Sequence, residues 1–126
     1  MESLKYERLI APVIAAAMEV HRELGPGLSE SVYEVCLCHE LASRGLVFHR
    51  HVPLPLHYKK VKLDCNLQMD LVIENDVILV VKSVERILPM HEAQLATFLK
   101  MSGKPIGLLI NFNVPVLKDG IIRQVR

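Results

Sequence analysis

Apolar and polar positions along the chain fall into three regimes. In the first, Ile10, Val13, Ile14, Ala17, His21 and Leu24 recur at steps of three and four, the spacing of one helix face. This predicts a helix ending near Leu24. Pro12 is expected in its first turn, where a missing N–H costs nothing, with a separate short turn before it. Gly25-Pro26-Gly27 stops it. Ser29 is the expected N-cap of a second helix running to about Arg44, with Glu30 in the first turn, where the helix dipole favours a carboxylate. Leu28 and Tyr33 are spaced as a hydrophobic staple, and Gly45 closes the helix.

In the second regime the pattern becomes extended. Residues 46–52 and 54–58 read as strands separated by proline, and Lys59-Lys60 as a turn. Residues 61–63 lead into a stretch that reaches Asp70-Leu71-Val72-Ile73. Glu74-Asn75-Asp76 lies between two apolar runs and predicts a hairpin. Val77-Ile78-Leu79-Val80-Val81 is apolar throughout, the signature of a strand buried on both faces. In the third regime a helix is expected over 91–101, ended by Gly103. A buried strand over 106–112, a turn at Lys118-Asp119-Gly120 and a short strand over 121–125 follow. Helices, strands, helix, strands is the order of an α/β fold: a mixed central sheet flanked by helices, in one domain over residues 1–126.

Composition narrows the function classes. Of 126 residues, 51% are apolar, which excludes a disordered chain. Fifteen basic and fourteen acidic side chains leave a net charge of +1, so any contact with a polyanion must come from a local basic patch or a metal ion. Lys59, Lys60 and Lys62 form such a cluster, although exposed lysines also blunt sheet edges. Aromatic residues make up 5%, which argues against extensive base stacking. No apolar run reaches the ~18–20 residues of a membrane span, and the first residues do not resemble a targeting peptide. Cys36, Cys38 and Cys65 are read as reduced, mostly buried thiols; a cytoplasmic protein is expected.

Candidate chemistry centres on Asp70 and Lys82, one on each strand of the expected hairpin and each bordering an apolar run. A carboxylate two residues before Lys82 would complete a Mg²⁺ site: two carboxylates for the ion, a lysine for the attacking water or the phosphate. Val80 stands there and ligates nothing. Taken alone, an Asp and a Lys at strand ends also read as solvated edge charges. His21 is expected as a hydrogen-bonded residue at the core's rim. His49 and His51 are expected on a solvated strand face, and His91 in a polar contact at a helix start.

Several stretches together resemble the GxxExxY protein family, a branch of the PD-(D/E)XK nuclease superfamily. The naming motif stands as Gly27-Leu28-Ser29-Glu30-Ser31-Val32-Tyr33, preceded by Glu19-Val20-His21-Arg22-Glu23-Leu24. Lys62-Leu63-Asp64-Cys65, Met69-Asp70-Leu71-Val72, His91-Glu92-Ala93-Gln94-Leu95 and Leu108-Leu109-Ile110-Asn111-Phe112-Asn113-Val114-Pro115 follow in the family's order. The resemblance implies a restriction-endonuclease-like core and hydrolysis of DNA phosphodiesters with Mg²⁺ or Mn²⁺, by endo- or exonuclease action. By position it implies Asp70 and Glu30 as metal ligands, Lys82 as the active-site lysine and Gln94 as a residue placing water or phosphate. Val80 departs from the family, which has glutamate there. Phe98 stands where some relatives carry tyrosine. Glu30 or Glu92 is the expected source of a replacement carboxylate. Two readings follow: a nuclease-like protein with a degenerate catalytic motif acting on DNA, and a non-catalytic binding or assembly module, as a homodimer or with a protein partner, that retains the fold. The second expects Val80 to pack against apolar neighbours.

Overall fold

The computed structural model describes the backbone of residues 2–126 and the side chains of residues 4–126. Helix α1 (Glu2–Leu24) and helix α2 (Glu30–Ser43) precede strands β1 (Phe48–Pro53), β2 (Leu56–Tyr58), β3 (Val61–Leu63), β4 (Gln68–Ile73) and β5 (Val77–Lys82). Helix α3 (Pro89–Ser102), strand β6 (Ile106–Asn111), a 3₁₀ turn (Leu117–Gly120) and strand β7 (Ile121–Val125) complete the chain. Five strands form one sheet in the order β1-β4-β5-β6-β7, and β2 and β3 form a separate two-stranded ribbon. All neighbours are antiparallel except β5 and β6, which run parallel and are joined through α3. The sheet is therefore mixed and flanked by helices, as the hydrophobic pattern predicts.

Two apolar layers cover the sheet. On one face Ile10, Val13, Ala16, Ala17 and Val20 of α1 and Tyr33, Leu37 and Leu41 of α2 pack on Leu71, Ile73, Val77, Leu79, Val81, Leu108 and Ile110. On the other, Leu95, Phe98 and Leu99 of α3 pack on Val72, Ile78, Val80 and Leu109. Each fully buried aliphatic side chain stabilises the fold by roughly 1.5–3 kcal/mol. The approach of α3 is close: a Cβ at Gly107 would lie 2.6 Å from Leu95 Cδ1.

Three local expectations need correction. Helix α1 does not begin at Pro12 but runs through it from Glu2. Ile10 is buried, and Tyr6 and Leu9 pack against the core, so apolar contact carries the helix past the missing N–H. The carbonyl left without a donor is that of Arg8, an exposed residue. Ser29 is the N-cap of α2 but makes no side-chain capping bond; its hydroxyl meets that of Ser31 at 3.2 Å. Leu28 is exposed and does not staple to Tyr33. Instead the Tyr33 hydroxyl donates to Gly25 O at 2.5 Å and accepts from Leu28 N at 3.2 Å, while its ring stacks on Phe112 with centroids 4.6 Å apart. Cys38 is buried and Cys36 partly so, but Cys65 is exposed.

Candidate active site

The site grows from a break in β4. Strand β1 pairs Arg50 with Leu71 and Val52 with Met69, leaving His51 and Asp70 between them out of register. Pairing of β4 with β5 likewise stops at Leu71 opposite Leu79. His51 has φ 52°, a left-handed conformation uncommon for a residue other than glycine, asparagine or aspartate. The break also shifts side-chain alternation: Met69 and Val72, three residues apart, both pack in the α3 layer. In place of a ladder bond, Val81 N donates to Asp70 Oδ2 at 2.9 Å.

Helix α2 brings two glutamates toward this break. Glu30 and Glu34 are four residues apart and share a helix face. Glu30 is exposed; its Oε2 accepts from Ser83 N at 3.4 Å, and Ser83 Oγ donates to Leu28 O at 2.5 Å. Glu34 is only 8% exposed, and its Oε1 lies 3.0 Å from His51 Nε2 and 3.4 Å from Arg50 Nε. Buried carboxylates require such partners. Burial pushes the half-buried Asp70 carboxyl above its usual range, and the Val81 N–H opposes that. Glu34 pushes it further up, Lys82 draws it down, and Glu30 adds a smaller upward push.

Lys82 ends β5, and its side chain is partly exposed. The chain leaves β5 along a side-chain scaffold. Asn111, 1% exposed, accepts from Val84 N through Oδ1 and donates to Val84 O through Nδ2, both at 3.0 Å. One amide thus replaces a ladder step and fixes residues 83–84 beside Glu30. Gln94 is exposed on α3 and makes no hydrogen bond to Asp70 or Lys82 among the described residues. Glu92 is also exposed on α3. His21 Nε2 meets Val114 O at 2.8 Å, and His91 Nδ1 accepts from Leu88 N at 3.0 Å, the structural roles expected of both. His51 departs from expectation: it is tied to Glu34 rather than simply solvated.

Asp70, Lys82 and Glu30 are thus brought together, with Gln94 standing apart on the other helix layer. Glu34, His51 and Asn111 escaped sequence reasoning. Glu34 had a signal, one helical turn after Glu30. So did Asn111, a polar residue closing an apolar strand as Lys82 does. His51 had none, because a left-handed residue inside a strand leaves no mark on hydrophobic pattern.

A carboxylate on a hairpin strand, a lysine ending the next strand and a glutamate on a covering helix, all over a mixed sheet, define a nuclease-type α/β domain. A family model of the PD-(D/E)XK nuclease superfamily matches residues 7–124, and the chain belongs to that superfamily. No curated protein and no solved structure matches it. No helix among the described residues is long and apolar enough to cross a membrane.

Nucleases of this superfamily generally use divalent metal ions. Mg²⁺ demands near-octahedral oxygen ligands, usually from one or two carboxylates with waters and substrate phosphate. At position 80 the side chain is Val, 2% exposed and packed in the apolar layer under α3. Glu34 is already held by a histidine and an arginine. Among the described residues no three of His, Cys, Asp and Glu stand together as a ligand group. The residues present do not fit the superfamily's ion.

Proposed function

We propose that this chain is a nuclease-fold module that binds nucleic acid and has lost metal-dependent cutting. The observation that carries this reading is Val80: a glutamate is needed there to complete the ligand set, and a valine side chain fills an apolar layer instead. Lys82 remains at the end of β5 as a cation able to meet a phosphate. Asp70, without a second carboxylate at position 80, serves the fold by accepting the Val81 N–H. The second reading, a Mg²⁺- or Mn²⁺-dependent DNA phosphodiesterase, draws support from the convergence of Asp70, Glu30 and Glu34 near Lys82. In it Asp70 and Glu30 would hold the ion, Lys82 would stabilise charge on the phosphate, and Gln94 would place water.

The two are separated by incubating the native protein, Lys82→Ala and Val80→Glu with single- and double-stranded DNA in Mn²⁺ or Mg²⁺. The expected result is no cutting by the native protein. Cutting gained by Val80→Glu would show an intact scaffold silenced at one position. Metal-dependent cutting by the native protein that disappears in Lys82→Ala would establish the second reading.

A further inference from the structure

The ribbon formed by β2 and β3 stands apart from the five-stranded sheet. It pairs Leu56 with Leu63, His57 with Lys62 and Tyr58 with Val61, so side chains divide cleanly between two faces. One face carries His57 and Lys62. The other carries Leu56, Tyr58, Val61 and Leu63, of which Leu63 lines an open cleft of about 500 Å³ at the ribbon's root, with Pro53, Leu54 and Leu67. Apart from the partly buried Leu56, every ribbon residue is exposed.

Two features of the tip oppose stability. An isolated two-stranded ribbon is marginal in water. A two-residue turn with both residues at positive φ favours Asn-Gly, yet Lys59 and Lys60 occupy it at φ 50° and 66°. Lysine gains nothing from that conformation. Its ammonium is what it contributes: Lys59 Nζ lies 5.6 Å from the Tyr58 ring centre, and Lys59, Lys60 and Lys62 occur with no acidic residue between positions 57 and 62. In a chain with net charge +1, this is a concentrated positive tip.

The ribbon is also aimed from the site's own strands. It leaves β1 at Pro53 and returns to β4 at Gln68, two residues before Asp70. Nine residues separate Val61 from Asp70, a reach of at most ~30 Å, within one turn of B-form DNA at ~34 Å.

We propose that the β2–β3 ribbon is a docking arm for double-stranded DNA. A two-stranded ribbon fits the B-form major groove, whereas the deep, narrow groove of an RNA duplex excludes it. His57 and Lys62 face the groove wall, and Lys59 and Lys60 reach the phosphates. The proposal rests on the nucleic-acid reading above but not on whether cutting occurs, so binding is measured in EDTA.

The test is fluorescence anisotropy of a labelled DNA duplex across a salt series. It compares the native protein, the triple variant Lys59→Gln/Lys60→Gln/Lys62→Gln, and Lys118→Gln as a distant control. Circular dichroism and thermal melts confirm that each folds. The triple variant is expected to bind at least about tenfold more weakly near physiological salt, with a log K against log salt slope shallower by about 2.7, or 0.9 per lost phosphate contact. Lys118→Gln should bind as the native protein does. Equal binding by the triple variant would overturn the arm, as would no binding by the native protein or tighter binding to the matching RNA duplex. Lysine-dependent partitioning onto anionic phosphatidylserine vesicles without DNA binding would make the arm a membrane contact and also overturn it. A cutting result of either sign in Mn²⁺ leaves this test unchanged.

Discussion

Asp70 sits where its charge is disfavoured. Burial is the largest cause, and two glutamates add to it more than Lys82 relieves it. A carboxyl raised above its unfolded value binds more protons in the folded state over the intervening pH window. Stability contributed by the protonated form is then full below the unfolded value and declines as pH rises through the folded one. Asp70→Asn keeps an oxygen for the Val81 N–H and removes that pH dependence. Its melting temperature relative to the native protein is therefore expected to rise from about pH 3 to pH 6. A relative melting temperature that falls over that range would contradict the assigned environment. Asp70 was legible because a carboxylate beside an apolar run is conspicuous. Its partner Glu34 was not singled out, since a glutamate on a helix surface is the commonest of placements and only the packing of α2 on the sheet buries it.

At the scale of elements, β5 keeps its course beyond Lys82 through the Asn111 amide. Asn111→Asp would turn a donor to Val84 O into a second acceptor and bury a charge. A loss of about 3 kcal/mol is expected in urea unfolding at neutral pH, shrinking in acid as the new carboxyl protonates and donates. An unchanged midpoint would show the amide to be replaceable. The helices and strands themselves were readable because their signals are local: unbroken apolar runs for β5 and β6, and three- and four-residue spacing for α1. The interruptions were not. Helix α1 passes Pro12 because of tertiary contacts through Tyr6, Leu9 and Ile10, and β4 breaks at Asp70 because of a side-chain bond to a strand eleven residues away.

Across the whole molecule, the ribbon is an insertion in an otherwise continuous hairpin of β1 and β4. Leu54 N still donates to Leu67 O at 2.8 Å, so the ladder continues to the ribbon's root before the strands part. Replacing residues 55–66 with Asn-Gly retains Leu54 and Leu67, both of which pack in the α3 layer. That chain is expected to unfold in one cooperative step with a melting temperature within a few degrees of the native protein. A collapse of the transition would show that the ribbon supports the core.

The bonds around Ser83 carry a consequence for how the site comes into being. Glu30 and Leu28 reach Ser83 across 53 and 55 residues of sequence, and Asn111 reaches Val84 across 27 more. No local stretch encloses these groups. During synthesis the first glutamate emerges long before the strand it will meet, and the amide that steadies that strand emerges later still. The site is therefore a late product of folding, absent until β6 has joined β5.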